Sequence, residues 1–294
     1  MRITLLCNLD IASNLAANRL IKALPEHHFS VLMTAQVGSN SHRPKALEAL
    51  SFYENTLFTR ILFPALASKQ EASKCKGSEK GVSDKGAAGK ESGEYEVYAQ
   101  PQLLTFEAMQ QRGVDIYPVS EINDGHGLSV LKRCQPDLIL SVRFGRILKT
   151  PALEVPKYGV LNLHSGLLPQ YRGIMATFWA MLRDESHIGC TLHRIQDGGI
   201  DTGDILSTHA IEMDYSLSYF DNMLTIYPAG LDAMIAATKR IADGVALVAM
   251  PQDDSQANYY GLPDHASISL FEQKGYRWVI HDNLIRLSQR FFPQ

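Results

Sequence analysis

Short apolar runs alternate with segments of helical spacing along the first half of the chain. Residues 2–7 and 29–33 are short, β-rich apolar runs, and between them Leu15, Leu20 and Leu24 recur at roughly helical spacing. This order of strand, helix and strand is typical of an α/β domain with a parallel sheet. We therefore predict an α/β fold whose sheet is mainly parallel.

The same alternation continues to about residue 210 and then changes. The pattern predicts four more strands, over 114–119, 137–142, 160–164 and 190–195. It predicts helices over 47–66, 128–134 and 176–183. A mostly helical stretch, 216–243, follows, in which Pro228 is expected to kink or split the helix. We therefore expect a main domain over 1–210, and a helix with a small, aromatic-rich C-terminal unit over 211–294.

One segment inside the main domain breaks the pattern. Residues 69–94 consist mostly of Gly, Ala, Ser, Lys and Glu. Such a segment cannot bury enough apolar surface to offset the entropy lost on ordering it. We interpret it as a flexible surface insertion.

Charge and cysteine content argue against several classes of protein. The net charge of −3 gives no sign of a nucleic-acid-binding surface, although it leaves room for a local basic patch, because net charge averages over the whole surface. The four cysteines are far apart and form no CxxC pair, so we expect neither a metal site nor a disulfide framework. The N-terminal apolar run is too short for a signal peptide, and no stretch reaches the length of a membrane span. We therefore expect a cytoplasmic protein with no membrane partner.

The densest group of chemically capable residues lies in GVLNLHSGLLPQYRG, residues 159–173. Because side chains alternate along a strand, Asn162 and His164 would share one face. Both lie near the carboxyl end of the predicted strand, which is the edge where parallel α/β sheets bind ligands. This segment is therefore a candidate site.

A second group lies in RIQDGGIDTGDIL, residues 194–206, which holds Asp197, Asp201 and Asp204 among three glycines. A carboxylate from this loop could orient the imidazole of His164 or accept a proton. An amide donor beside an imidazole can stabilise the oxyanion of a tetrahedral intermediate. Together, the two segments suit acyl transfer without a covalent enzyme intermediate.

Each of these residues also has a structural explanation when it is taken alone. His164 and His193 could be satisfied structural histidines, Asn162 could cap a strand end, and the acidic loop could be a pair of turns. A metal site from His164, His193 and Asp201 is conceivable, but the spacing matches no standard ligand motif. The order and spacing of the residues together favour the catalytic interpretation.

The two segments resemble the 10-formyltetrahydrofolate-dependent formyltransferase family. Its members include methionyl-tRNA formyltransferases, glycinamide ribonucleotide formyltransferases and amino-sugar N-formyltransferases. The family pattern is N-x-H, a leucine–proline loop, Arg-Gly, and an Asp about three dozen residues later. The matching positions here are Asn162, His164, the loop 166–169, Arg172 with Gly173, and Asp201. The resemblance covers about 137–243 and, more weakly, 1–24.

The resemblance implies a Rossmann-like catalytic domain over 1–210 that transfers a formyl group to an amine. Asn162 and His164 would stabilise the reaction intermediate, and Asp201 would tune His164 and help to remove the amine proton. The pocket for 10-formyltetrahydrofolate would involve Phe144, Arg146, Ile147, Leu148, Gly166, Leu167, Leu168, Pro169, Gln196, Asp197 and Ile200. The acceptor would be bound by Arg172, Gly173, Asp10, Ser13 and Asn14.

Two departures from the family pattern bear on the acceptor. The segment CNLDIASNLAAN after the first strand lacks the glycine-rich phosphate loop of the purine-pathway members, so we expect no nucleotide phosphate there. Only about 45 residues follow Met250 and the chain is slightly acidic, whereas methionyl-tRNA members carry a larger, often basic C-terminal domain. We therefore expect a small-molecule amine as the acceptor, rather than tRNA, and leave a homodimer open.

Three other functions stay open. The chain could be a methionyl-tRNA formyltransferase despite its short tail, or a formyltetrahydrofolate hydrolase in which water is the nucleophile. Because the first strand begins at residue 2, we expect none of the regulatory domain that precedes the hydrolases. The third alternative is a non-catalytic folate-binding protein, although a binder has no need of Asn162, His164 and Asp201 together. A dehydrogenase is less favoured, because no GxGxxG follows the first strand.

Overall fold

A seven-stranded, mostly parallel sheet forms the centre of the molecule, in a computed structural model that describes residues 1–34, 44–65 and 103–291. The sheet order is β3-β2-β1-β4-β5-β7-β8. The parallel strands are β1 (Arg2–Asn8), β2 (His28–Thr34), β3 (Asp115–Pro118), β4 (Leu138–Val142) and β5 (Val160–His164). Two antiparallel strands, β7 (His187–Ile195) and β8 (Ile205–Glu212), close one edge. The prediction of a mainly parallel α/β sheet is confirmed, while the proposed insertion 69–94 lies outside the described residues.

Helices flank the sheet, and they include the helical segments predicted over 47–66, 128–134 and 176–183. They are α1 (Ile11–Ala23), α2 (Lys45–Ser51), α3 (Phe106–Gln111), α4 (Gly125–Cys134), α5 (Thr150–Leu153), α6 (Ala176–Leu182), α7 (Tyr219–Thr225), α8 (Tyr227–Ala242), α9 (His265–Gln273) and α10 (His281–Gln289). A π-helix, Phe52–Leu62, continues directly from α2. In the part of the chain that the structure describes, no helix is long and apolar enough to cross a membrane.

The central strands are buried on both faces, which explains their nearly continuous apolar sequences. Along β1, Leu5 and Cys7 pack into one hydrophobic cluster and Leu6 into the other. Alternate side chains of a strand point to opposite faces, so one run of apolar residues serves both layers of helices. This two-sided burial holds the strand ends rigidly beneath the candidate site.

The strand order reverses beside β1. From β1 the chain forms β2 and then β3 on one side, and it later returns to form β4 and β5 on the other side. The connections therefore diverge at the carboxyl ends of β1 and β4, and they leave a crevice of the kind in which α/β proteins bind ligands.

The structure contains elements that the sequence did not predict, including helices α3 and α5 and strand β8. Strand β8 was not predicted, because ILSTHAIE is an edge strand in which polar residues take exposed positions. The helical stretch 216–243 is split into α7 and α8, as the presence of Pro228 predicts, and Pro228 lies in the first turn of α8, where its missing N–H costs nothing.

The C-terminal unit packs directly on the sheet domain. Phe178 of α6 stacks on Phe271 and Trp278, with ring centroids 5.0 and 5.5 Å apart. Leu287 of α10 belongs to the same hydrophobic cluster as the residues on one face of the sheet. Two strands of two residues each, β6 (Arg172–Gly173) and β9 (Tyr259–Tyr260), pair with one another and also join the two parts. The division at residue 210 stays a prediction.

Candidate active site

A cavity of about 620 Å³ opens at the carboxyl ends of β1, β4 and β5. Its walls include the π-helix, the loop after β4, and the loop 196–203 between β7 and β8. This volume lies within the range of small-molecule binding sites, roughly 300–1,000 Å³. The two segments that the sequence singled out meet at this cavity, because Asn162, His164 and Asp201 all line it.

Strand β5 places Asn162 and His164 on one face, as the alternation predicts. The His164 side chain is buried, and its Nε2 lies 2.6 Å from the carbonyl oxygen of Tyr171. Its Nδ1 lies 3.3 Å from Asp201 Oδ2. Since a carbonyl and a carboxylate only accept hydrogen bonds, both contacts are satisfied at once when each ring nitrogen carries a hydrogen. The longer Nδ1 contact is the looser of the two.

Asp201 is held from several sides. Its Oδ2 accepts a hydrogen bond of 2.9 Å from the backbone N–H of Gly173, and its Oδ1 lies 3.5 Å from His193 Nε2. Burial alone would raise the pKa of Asp201, but His164, His193 and the Gly173 N–H outweigh burial and lower it to about 2. The Asp201 side chain is therefore a carboxylate at any physiological pH.

His193 links Asn162 to this carboxylate. Its Nδ1 lies 2.8 Å from the carbonyl oxygen of Arg194, and its Nε2 lies 2.9 Å from Asn162 Nδ2. An amide nitrogen carries two hydrogens, so this bond uses only one of those on Asn162. The sequence favoured a structural role for His193, whereas the structure brings it into the same contact network. We call Asn162, His164, His193 and Asp201 the Asp201 cluster.

Most of the residues expected to bind the formyl donor line the cavity. Phe144, Arg146, Ile147 and Leu148 come from the loop after β4, and Ile147 is 46% exposed. The loop before Asp201 contributes the polar side chains of Gln196 and Asp197, together with Ile200. An exposed apolar side chain beside polar loop groups fits a flat heteroaromatic ring with hydrogen-bonding edges. The donor-binding role of these residues stays a prediction.

The loop 166–169 does not line the cavity. A Cβ atom at Gly166 would lie 2.7 Å from His164 Nε2, so only glycine lets the chain pass the imidazole this closely. The hydroxyl of Thr191 donates to the carbonyl of Gly166 and accepts from the N–H of Leu168, at 2.8 and 3.1 Å. Leu167 contacts the strand at Gly189, and the peptide bond between Leu168 and Pro169 is cis. These contacts hold the loop 166–169 in place against the imidazole of His164.

The residues expected to bind the acceptor separate into two groups. Asp10 and Gly173 line the cavity, whereas Ser13, Asn14 and Arg172 do not. Ser13 and Asn14 are fully buried in α1, and the Arg172 guanidinium donates to Gln252 and Asp254. Asp10 caps α1 through a 2.7 Å hydrogen bond from the Ser13 N–H, so its own carboxylate occupies the helix N-terminus. Acceptor binding by these five residues stays a prediction.

A second charged group, which the sequence did not reveal, also lines the cavity. The Arg143 guanidinium lies 3.0 Å from Asp10 Oδ2 and 3.0 Å from Glu54 Oε2. Burial would lower the pKa of Arg143, but Asp10, Tyr227 and Glu54 raise it well above its ordinary value, so the side chain stays charged. We call Asp10, Glu54 and Arg143 the Arg143 cluster. The position of Arg143 after β4 was the only available signal, since Glu54 comes from a distant helix.

No metal site is apparent in the described part of the chain. Within residues 1–34, 44–65 and 103–291, no group of three or more His, Cys, Asp or Glu side chains is placed to hold a metal ion.

Comparison with known proteins identifies the domain that carries this site. Residues 83–225 match the family model described as formyl transferase. The methionyl-tRNA formyltransferase of Clostridium novyi is 33% identical over 159 residues, which are 54% of this chain and 51% of that protein. The protein of the same name from Clostridium beijerinckii is 29% identical over 188 residues, 62% of this chain and 59% of that protein. The chain thus spans about half the length of the curated relatives that it matches.

Solved formyltransferase structures share the fold. A sugar 3N-formyl transferase superposes with a TM-score of 0.52 at 16% identity, covering 96% of this chain and 83% of that one. The glycinamide ribonucleotide transformylase 1 of Symbiobacterium toebii gives a TM-score of 0.51 at 14% identity, covering 85% and 93%. At these identities the likeness concerns the fold alone.

The comparisons contradict the expectation that tRNA is disfavoured as a partner, because the curated relatives are methionyl-tRNA formyltransferases. That expectation rested on net charge and on the short tail. Net charge averages over the whole surface, so a value of −3 does not exclude a local site for a nucleic acid. Residues 83–225 match the formyl transferase family model, and the chain shares the fold of solved formyltransferases.

Proposed function

We propose that this protein transfers a formyl group from 10-formyltetrahydrofolate to an amine, and that the amine to test first is that of methionyl-tRNA. The observation that carries the proposal is the convergence of Asn162, His164 and Asp201 at one cavity. The printed names of the curated relatives support methionyl-tRNA as the acceptor. The match of residues 83–225 to the formyl transferase family model supports formyl transfer without distinguishing between acceptors.

The reaction needs a polar group where negative charge develops and a group that handles a proton. When the amine nitrogen attacks the formyl carbon, a new C–N bond forms and the carbonyl oxygen gains negative charge. The remaining amide hydrogen of Asn162 can stabilise that oxygen, and the Nδ1–H of His164 can do so when it leaves its 3.3 Å contact with Asp201. The bond between the formyl carbon and the donor nitrogen then breaks, and the proton lost by the amine ends on that nitrogen.

Asp201 would act both in stabilising the intermediate, through His164, and in transferring the amine proton. Its Oδ2 lies 3.3 Å from His164 Nδ1, where it can accept a hydrogen bond that orients the ring. An ionised carboxylate can also accept the amine proton, directly or through water, before that proton reaches the leaving nitrogen. Asp201 holds this charge because its pKa is lowered to about 2.

The proposal is tested by binding first and by transfer second. Calorimetric titration with a non-hydrolysable analogue of 10-formyltetrahydrofolate should give saturable binding to the folded protein. Incubation with the true donor and initiator methionyl-tRNA should then give formylmethionine, detected by mass spectrometry after the ester is hydrolysed. Unchanged methionyl-tRNA, together with no binding of the analogue, would overturn the proposal.

Two outcomes of this assay separate the alternative functions. Formate released in the absence of any amine would identify a hydrolase. Binding of the analogue without formate release or formyl transfer, to methionyl-tRNA or to a panel of amino sugars, would favour a non-catalytic folate-binding protein.

A further inference from the structure

The segment that follows Met250 lies outside residues 83–225, yet it runs beside the loop that carries Asp201. We propose that Gln252 is a positioning residue that holds the Asp201 carboxylate against His164. The inference rests on the proposed function, in which Asp201 acts through and beside His164. It assigns to the C-terminal unit a role in the active site that its packing contacts alone do not require.

The side-chain amide of Gln252 is fully used in joining two segments. Its Nε2 donates to the carbonyl oxygens of Asp201 and Gly203, at 2.8 and 2.7 Å. Its Oε1 accepts from Nε and Nη2 of Arg172, at 3.1 and 2.8 Å. Because carbonyls only accept and a guanidinium only donates, the orientation of this amide is determined by its partners. Gln252 therefore ties the loop 201–203 to β6.

The Asp201 backbone needs such support. Its φ of +55° lies in the left-handed region, which residues with a Cβ atom adopt at a cost. A conformation of this kind persists only where the surrounding contacts fix it. The two bonds from Gln252 hold the carbonyls of Asp201 and Gly203 and so limit rotation of the loop that aims the carboxylate.

The same C-terminal segment also sets the second contact of the carboxylate. Gly173, whose N–H donates to Asp201 Oδ2, pairs with Tyr260 across β6 and β9. The φ of Gly173 is +99°, and a Cβ atom there would lie 2.1 Å from the Tyr260 carbonyl oxygen. The close approach of β9 therefore fixes the direction of the Gly173 N–H. Residues 252–260 thus hold Asp201 through its backbone and through its carboxylate.

The first test compares two changes at Gln252 with a matched control. Gln252→Glu keeps the size of the side chain and an acceptor for Arg172, but it removes both donors to the loop. Gln252→Ala removes all four bonds. Gln256→Ala is the control, because Gln256 is an exposed amide of the same segment whose partners are Asp253 and Gln170. Thermal unfolding checks that each variant is folded.

The measurement is the ring ¹⁵N chemical shifts of His164 at pH 7, which report the hydrogen bonding of each ring nitrogen. The signals are assigned by their loss in His164→Gln, and Asp201→Asn provides the reference for a broken contact. Both Gln252 variants should shift the His164 signals in the direction of Asp201→Asn, while Gln256→Ala should match the wild type. Wild-type His164 signals in folded Gln252→Glu and Gln252→Ala would overturn the proposal.

A kinetic test follows where formyl transfer has been established. Gln252→Glu should lower kcat by about 10-fold or more, with the Kd of the donor analogue changed less than about 2-fold, because the loop misplaces a group that acts in the reaction. A loss confined to donor binding would contradict the positioning role. Since the His164 signals need no acceptor, their shift would still support the positioning role of Gln252 if the wild type formylated none of the amines tested.

Discussion

The Asp201 cluster and the Arg143 cluster line the same cavity, but their charges are compensated in different ways. Arg143 lies within 3.0 Å of each of two carboxylates, so the group forms a closed set of ion pairs. Asp201 instead faces two imidazoles at 3.3 and 3.5 Å and one backbone N–H. Imidazoles can change protonation near neutral pH, whereas a guanidinium cannot. The comparison supports our proposal that catalysis depends on the Asp201 cluster, whose imidazoles can exchange protons.

The largest effect should come from Asp201→Asn. An amide in this place removes the negative charge beside His164 and cannot accept a proton, so kcat should fall by roughly 10⁴-fold, the upper end of the range for acid–base groups. Binding of the donor analogue should change by less than about 3-fold. Steady-state kinetics and calorimetry measure the two values, and activity near that of the wild type would refute the assigned role.

Arg143→Met should show the opposite behaviour, with its main effect on stability. Removing the guanidinium leaves Asp10 and Glu54 without the cation that lies between them, which we expect to cost about 3–5 kcal/mol of unfolding free energy. Urea unfolding at pH 7 measures this loss. The matched control is Arg19→Met, which breaks the more exposed bidentate pair with Asp232 and should cost about 1 kcal/mol or less. Equal losses in both variants would contradict the structural role of Arg143.

Asn162→Ala should lower kcat by roughly 10²-fold, because it removes one donor to the developing oxyanion. The substitution also breaks the hydrogen bond to His193, which is 2.9 Å long. Asn162→Gln serves as the control, since it keeps the amide and moves it by one methylene. If kcat is unchanged while only the KM for the acceptor rises, Asn162 binds the acceptor and does not stabilise the oxyanion.

The smallest effect concerns the dependence of stability on pH. Because the pKa of Asp201 is lowered from 3.8 to about 2, its ionisation stabilises the fold by about 2 kcal/mol above pH 4. This contribution to stability is lost as the pH falls from about 4 to about 2, and about half of it is gone at pH 3. Urea unfolding at pH 5 and pH 3 should therefore show a smaller loss in Asp201→Asn than in the wild type. Identical losses would mean that Asp201 is not stabilised as an ion in the fold.

Much of the site was predictable because the position of a residue along a strand determines the face to which its side chain points. Asn162 and His164 are two residues apart on a strand, so their shared face follows from the backbone alone. The loop 194–206 stands out by its acidic residues and glycines, and Asp201 within it is identified by the resemblance to the formyltransferase pattern. The edge strand β8 was missed because three of its eight positions are exposed and none is fully buried, which weakens the apolar signal on which the prediction relied.

The amino-acid sequence by itself determined the α/β alternation, the strand that bears Asn162 and His164, and the loop that bears Asp201. These features depend on local periodicity and on turn-forming residues, which act over a few neighbouring positions. Only the tertiary structure decided that Glu54 meets Arg143, that His193 joins Asn162, and that Gln252 reaches the carbonyl of Asp201. Each of these contacts joins residues from separate elements, 31 to 89 positions apart. Such partners are brought together by sheet order and helix packing, which no local pattern of residues encodes.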